Sequence, residues 1–181
     1  MLFADVRGST TMAERISPTE FSRLMNRFYA AATRVLVESD ALIDKLVGDE
    51  VIGLYVPGMA GPDHARLAVQ AGHELLRAVA QAGRAGSSLP VGVGVHTGTA
   101  YVGTAGSEGV VDVTALGDAM NTTARLASQA GAGEVLVSEA ACAAAGLETV
   151  GLEQRRLELK GRSEPVSVWV LRIAPGEHRA G

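Results

Sequence analysis

The sequence predicts an α+β fold, a ferredoxin-like βαββαβ core with a C-terminal αβαββ extension. Three observations lead there. Up to residue 95, β-prone and helical stretches follow the order strand-helix-strand-strand-helix-strand. Two short apolar runs flank Gly48-Asp49-Glu50, which reads as a hairpin. Beyond residue 100 a strand pair, a helix, a short strand, an Ala-rich helix and a closing hairpin complete the pattern. The 181 residues suit one domain over 1–173, with 174–181 expected to be a disordered tail.

Each element has a local reason. Leu2-Phe3-Ala4 reads as a strand ending at Asp5, followed by the polar turn Arg7-Gly8-Ser9-Thr10 and a short helical patch. Because that strand has no lead-in, the expectation is a chain cut from something longer or one whose start is misplaced. Ser17-Pro18-Thr19-Glu20 is a helix start, with Ser17 as N-cap, Pro18 at the first helical position and Glu20 at the third. Phe21, Leu24, Met25, Phe28, Ala32, Val35 and Leu36 then mark one buried face. Ala41–Val47 and Val51–Val56 form the hairpin strands, 57–61 is a loop, and Pro62-Asp63 open a helix running to about Arg84. Its apolar face carries Leu67, Ala71, Leu75, Leu76 and Val79, and 83–88 break it. From Pro90 to Val95, Val alternates with Gly as a strand. There follow strands around Tyr101 and over Val110–Thr114, a helix from Asp118 to about Gln129, and a strand over Val135–Val137. A helix over Glu139–Ala144 and a hairpin pairing Leu157–Leu159 with Val166–Leu171 close the chain.

Composition excludes several classes. The net charge of −4 is mildly acidic, and nucleic-acid binding needs a clustered basic surface. With 47% hydrophobic and 20% charged residues the chain is globular rather than disordered. One cysteine, Cys142, allows no internal disulfide and fits a reduced, cytoplasmic setting; it reads as an inert buried thiol. The longest stretch free of Asp, Glu, Lys and Arg, Ala85 to Ser107, holds Pro90 and six glycines, so it reads as strand and turn rather than a membrane span. No membrane insertion by this chain is expected, although a longer parent protein could add sensor or membrane segments. His64 and His73 should face solvent, His96 should pack at a strand end, and Met12, Met25, Met59 and Met120 read as packing residues.

A few residues carry possible chemistry. In a split βαβ sheet the first strand lies beside the hairpin, so Asp5 and Asp49 can converge. Two neighbouring carboxylates repel unless a proton or a divalent cation intervenes, and Mg²⁺ suits a carboxylate pair beside phosphates. The backbone N–H groups of the Gly8-Ser9 turn can point at phosphate. Asn121 and Arg125, four apart, share a helix face, and an amide beside a guanidinium can grip a ribose oxygen and a phosphate. Taken singly, each fits a plainer role: Asp5 as a turn cap, Asp49 as a hairpin residue, Asn121 and Arg125 as a solvated face, Lys45 as a surface lysine.

Six segments together, LFADVRGST, KLVGDEVIGLYVPG, VGVGVHTGTAYVG, VTALGDAMNTTARLASQA, EVLVSEA and LKGRSEPVSVW, resemble the class III nucleotidyl cyclase catalytic domain in its order and spacing. The resemblance covers about residues 2–172. It implies a nucleotidyl cyclase-like α/β sandwich acting as a homodimer with two interfacial sites. Asp5 and Asp49 of one chain would hold two Mg²⁺ or Mn²⁺ ions, with the Val6 carbonyl as a further ligand. From the other chain, Asn121 and Arg125 would orient the ribose and stabilise the reacting phosphate, Lys160 would contact phosphates, and Lys45 and Thr114 would read the purine.

ATP-selective members commonly carry Lys and Asp at the purine-reading positions, and GTP-selective members favour Glu and Cys. Lys45 with Thr114 therefore reads as ATP, with GTP less firmly rejected than by an Asp. Members carrying Thr there include some responsive to bicarbonate, and Thr99 stands where others place a basic phosphate contact. The resulting expectation is an adenylate cyclase forming 3′,5′-cyclic AMP and pyrophosphate. The alternatives are a guanylate cyclase, a catalytically silent nucleotide-sensing or dimerisation module, and a diguanylate cyclase suggested by Gly48-Asp49-Glu50. Against the last, Val47 and Ile52 depart from that motif.

Overall fold

The computed structural model describes residues 1–83, 89–107, 110–162 and 164–173, with side chains of 106–112 left aside. Along the chain run β1 (Leu2–Val6), α1 (Ser9–Arg15), α2 (Pro18–Glu38), β2 (Leu42–Val47), β3 (Glu50–Leu54), α3 (Pro57–Ala60), α4 (His64–Gly83) and β4 (Val91–Val95). Then come β5 (Tyr101–Ser107), β6 (Val110–Leu116), α5 (Asp118–Gln129), β7 (Glu134–Ser138), α6 (Glu139–Ala145), β8 (Glu153–Leu157) and β9 (Val166–Arg172). Seven strands form one sheet in the order β2-β3-β1-β4-β7-β9-β8, and β5-β6 form a separate ribbon. The first four are the ferredoxin-like set, with β1 antiparallel to both β3 and β4. β7 joins β4 in parallel and carries the sheet outward.

Strand alternation decides which layer each residue feeds. Leu2, Ala4, Val6, Val91, Val93 and Val95 point into the larger core, where α2, α4 and α6 deliver Phe28, Leu36, Leu75, Val79 and Cys142. Phe3, Ile52 and Leu54 point to the other face, against Ala115 of β6 and Met120 and Ala127 of α5. Farther along that face Leu126 and Ala130 pack on Leu136, Val168 and Val170. One helix and a ribbon therefore cover the second face, and α5 sits very close to it. At Gly94 an added Cβ would fall 2.4 Å from the Ala127 backbone nitrogen and 2.7 Å from the Thr123 carbonyl oxygen. The Val-Gly alternation of β4 thus has a cause: valines face α4, and glycines let the α5 backbone approach.

Helix α2 opens on the expected capping box, the Ser17 N–H donating to Glu20 Oε2 at 3.1 Å and the Glu20 N–H to Ser17 Oγ at 3.3 Å. Ser138 caps α6, accepting from the Ala141 N–H at 3.2 Å. His96, just past β4, has its Nδ1 2.8 Å from the Ser138 hydroxyl, and burial holds its pKa down to about 4. Cys142 is buried, which pushes its thiol up to about 11.

Several expectations are corrected. Residues 57–60 form a short helix, started by Pro57 at a position where its missing N–H costs nothing. The first strand of the closing hairpin is Glu153–Leu157, earlier than the apolar run suggested. It is an edge strand held by charge: Arg155 donates to Glu134 Oε2 and Oε1 at 2.8 and 2.7 Å, and Arg172 Nη2 to Glu134 Oε1 at 2.7 Å. His64 and His73 are half-buried where α4 packs on its neighbours, His73 Nε2 lying 3.4 Å from the Arg172 carbonyl. Met59 is exposed because α3 buries none of its residues. The helix end near Arg84, the break over 83–88 beyond Gly83, and the tail over 174–181 lie outside the described residues. Among the described residues no helix is long and apolar enough to cross a membrane.

Candidate active site

The acidic half of the site grows from the β1–β3 pairing. Asp5 is the cross-strand partner of Glu50, and the Val6 N–H donates to the Asp49 carbonyl oxygen at 3.0 Å, which brings the hairpin tip against the end of β1. Tyr29 of α2 steadies that tip, its hydroxyl donating to the Gly48 carbonyl at 2.5 Å. Gly48 turns the hairpin at φ 63° and Gly8 turns the chain into α1 at φ 67°, conformations open to glycine without a side-chain penalty. Ser9, buried at the start of α1, donates its hydroxyl to Asp49 Oδ2.

Asp5 and Asp49 thus lie close enough to feel each other's charge, and Glu50 faces Asp5 across the ladder. Burial pushes the Asp5 carboxyl above the usual carboxylate range; Arg7 pulls it down and the Asp49 charge pushes it up. Burial likewise raises Glu50, helped by the charges of Asp5 and Asp49. Arg7 pairs with Asp5, and its Nη1 donates to the Ser128 carbonyl of α5 at 2.5 Å. Crowded carboxylates that disfavour their own ionised forms are a donor set suited to a divalent cation. Among the described residues no three His, Cys, Asp or Glu side chains are grouped to cage a metal. Asp5 and Asp49 with the Val6 carbonyl therefore fit an ion that completes its shell from substrate oxygens or water.

The second half lies along α5. Asn121 is exposed and Arg125 half-buried. The Arg125 guanidinium sits over Gly161, where a Cβ would come within 3.4 Å of Nη2, so the loop carrying exposed Lys160 lies beside it. Arg162 fixes that loop on α5, donating to the Thr122 hydroxyl at 2.8 Å and pairing with Asp118 at 3.2 Å. Arg7 reaches the C-terminal end of α5 at Ser128, whereas Asn121 is seven residues back, about 10 Å along the axis. Within one chain Arg125 lies beside the loop of Lys160, with Asn121 one turn earlier on α5, and Asp5, Val6, Ser9 and Asp49 meet at the end of β1.

Lys45 and Thr114 form a third group. Lys45 lies opposite Ile52 in the β2–β3 ladder and shares its face, the face on which β6 packs. Thr114 is buried, and its hydroxyl lies 3.4 Å from Asp44 Oδ2. Thr99 is exposed, at an apolar cavity of about 220 Å³ also lined by Leu54, Val56 and Val102.

Sequence reasoning missed Arg7, Glu50 and Asp44. Arg7 follows Asp5 by two residues and so could reach its side of the strand, a signal that was available. Asp44 could not be found that way. The β2–β3 register slips between Ile43 and Lys45, and this bulge turns Asp44 to the same side as Lys45.

Comparison with known proteins adds an independent line. The family model "Adenylate and Guanylate cyclase catalytic domain" matches residues 1–172. An adenylate cyclase of Anabaena cylindrica is 30% identical over 179 residues, spanning 93% of this chain and 36% of that protein. The chain thus covers about a third of that relative's length. Among solved structures, the guanylyl cyclase Cya2 superposes with a TM-score of 0.85 at 29% identity, covering 98% of this chain and 93% of its own. The adenylyl cyclase CyaB from P. aeruginosa gives 0.84 at 25% identity, covering 96% and 93%.

Proposed function

Because this chain belongs to the adenylate and guanylate cyclase catalytic domain family, we propose that it converts ATP to 3′,5′-cyclic AMP and pyrophosphate at sites shared by two copies. One observation supports the reading: the carboxylates sit where β1 meets the hairpin tip, beside the C-terminal end of α5 that Arg7 reaches, whereas Asn121 lies about 10 Å back along that helix. Large apolar side chains also stand exposed on this chain. Val47 at the β2–β3 tip is 60% exposed, Tyr101 of the β5–β6 ribbon 57%, and Leu116 53%. Exposed apolar patches of this kind mark association surfaces, and a two-fold dimer would use each of them twice.

The roles follow from chemistry. Asp5, Asp49 and the Val6 carbonyl of one copy would hold the divalent ions, two Mg²⁺ or Mn²⁺. When bound, such ions acidify the ribose 3′-hydroxyl and offset charge on the phosphoryl oxygens. Arg7 pairs with Oδ2 of Asp5 and is held by the Ser128 carbonyl, which leaves the other Asp5 oxygen for a cation. Gly8 and Ser9 offer backbone donors to the phosphates at the turn into α1.

From the partner, Asn121 holds the ribose so that its 3′-oxygen lies in line with the α-phosphorus. Arg125 supplies positive charge where negative charge grows as pyrophosphate leaves, and Lys160 neutralises the phosphate chain. Lys45 donates to adenine N1 and Thr114 accepts from the exocyclic amino group.

The test is cyclic AMP formation by the purified chain with Mn²⁺. The rate per chain should rise with protein concentration as copies pair, and Asp49→Ala should abolish turnover. Full activity in Asp49→Ala would end this reading. Tight ATP binding without turnover at high protein concentration would favour a silent nucleotide-sensing module instead.

A further inference from the structure

We propose that Asp44 sets the purine preference by fixing the proton of the Thr114 hydroxyl. The inference rests on the reading above, in which Lys45 and Thr114 face the base. A threonine hydroxyl is ambiguous on its own: it can accept from the amino group of adenine or donate to the O6 carbonyl of guanine. What surrounds it decides which.

The surroundings are unusual. The bulge at Asp44 breaks the alternation of β2, so that Asp44 and Lys45, neighbours in sequence, both turn toward β6. Asp44 Oδ2 lies 3.4 Å from Thr114 Oγ1, on a side chain that is only 7% exposed. A carboxylate can only accept, so the hydroxyl proton goes to Asp44 and the Thr114 oxygen is left with its lone pairs for the ligand. The other carboxylate oxygen, Oδ1, is buried and takes no hydrogen bond among the described residues.

Thr114, its proton turned to Asp44, therefore presents an acceptor. Adenine offers a donating amino group there. Guanine offers a carbonyl oxygen, which would face like lone pairs with no proton between them. Asp44 thus restores from β2 the acceptor character that a threonine at 114 does not guarantee. It acts through Thr114 as a positioning residue.

The experiment measures kcat/KM for ATP and for GTP with Mn²⁺ in the same preparation, for the parent chain, Asp44→Asn, Thr114→Val, the double variant, and Lys45→Glu. The ratio of the two constants does not depend on how much of a preparation is folded. Where turnover is too slow, competition of ATP and GTP against a fluorescent nucleotide supplies the ratio of their dissociation constants, to be read in the same way. An amide at 44 can donate to Thr114 and let the hydroxyl turn toward guanine, so Asp44→Asn should lower the ATP:GTP ratio by about tenfold or more. In the Thr114→Val background the same change should move the ratio far less, because the relay is gone.

An unchanged ratio in Asp44→Asn overturns the inference, as does an equal drop with and without Thr114. If Lys45→Glu shifts the ratio and Asp44→Asn does not, the purine assignment stands and only the role of Asp44 falls. If neither Lys45→Glu nor Thr114→Val moves it, the purine assignment falls and takes this inference with it.

Discussion

Substituting alanine for Gly94 tests whether the α5 side chains proposed for catalysis depend on how closely that helix lies on the sheet. The new Cβ would meet the Ala127 nitrogen at 2.4 Å, the Thr123 oxygen at 2.7 Å and the Leu126 carbonyl carbon at 2.9 Å, all backbone atoms that no rotamer change can move. Ordinary contact begins near 3.4 Å, so α5 would have to lift by about 1 Å. Overpacking of this kind costs about 1–3 kcal/mol. For a domain of this size that corresponds to a fall in Tm of roughly 3–10 °C. The functional cost should be larger, since α5 carries Asn121 and Arg125 and a misplacement of about 1 Å can cost on the order of 10²-fold in rate. Gly72→Ala is the control. There the Cβ meets only methyl groups of Val135, Val93 and Val95 at 3.1–3.4 Å, and alanine gains about 1 kcal/mol of helix propensity. Thermal melts and initial rates at saturating ATP and Mn²⁺ should show Gly94→Ala cooler and nearly inactive, and Gly72→Ala close to the parent. A Gly94→Ala protein with parental Tm and rate would refute this account of α5.

Three other outcomes follow. Arg125→Ala should lower kcat by about 10²-fold, because in the proposed reaction the guanidinium meets charge that develops in the transition state; a change confined to KM would contradict that role. Glu134, gripped by Arg155 and Arg172, has its pKa held down at about 2 against an ordinary 4.5. A depressed carboxylate stabilises the fold above its unfolded pKa, and that contribution is lost as pH falls through the folded value. Denaturant melts should therefore find Glu134→Gln weaker than the parent by about 2 kcal/mol, after allowance for solvent screening, above pH 5, with the gap closing between about pH 4.5 and 2. Cys142, buried with its thiol at about 11, should resist disulfide reagents at pH 8 in the folded protein and react at once when unfolded; rapid labelling of native protein would show that α6 opens.

The βαββαβ core was legible because its signals are local. The Ser17–Glu20 box, the stripe from Phe21 to Leu36 and the turn at Gly48 each specify their own element, and strand pairing follows from their order. Strand β8 was not legible. Its sequence, EQRRL, has no apolar alternation, and it is held by Arg155 reaching across β9 to Glu134. Packing partners distant in sequence likewise half-bury His73 against Arg172, which helix periodicity alone does not reveal.

The candidate site divides in the same way. Asp5 beside Asp49 follows from topology, and Asn121 with Arg125 from helical spacing. The loop of Lys160 reaches Arg125 only through the packing of residues 158–162 on α5. Asp44 was hidden because a bulge breaks the period-two rule on which any reading of a strand rests.

The central claim is that each working site is made by two copies, and mixing two inactive variants tests it most directly. Asp49→Asn should lack a working acidic half, and Arg125→Ala a working α5 half. Equal amounts, mixed and allowed to exchange, should form mixed pairs with one intact site and one doubly defective site. With random pairing that returns about a quarter of the parental cyclic AMP rate, from two preparations that are each nearly silent. A mixture that stays at the sum of its silent components, while exchange is confirmed by subunit labelling, would contradict the account.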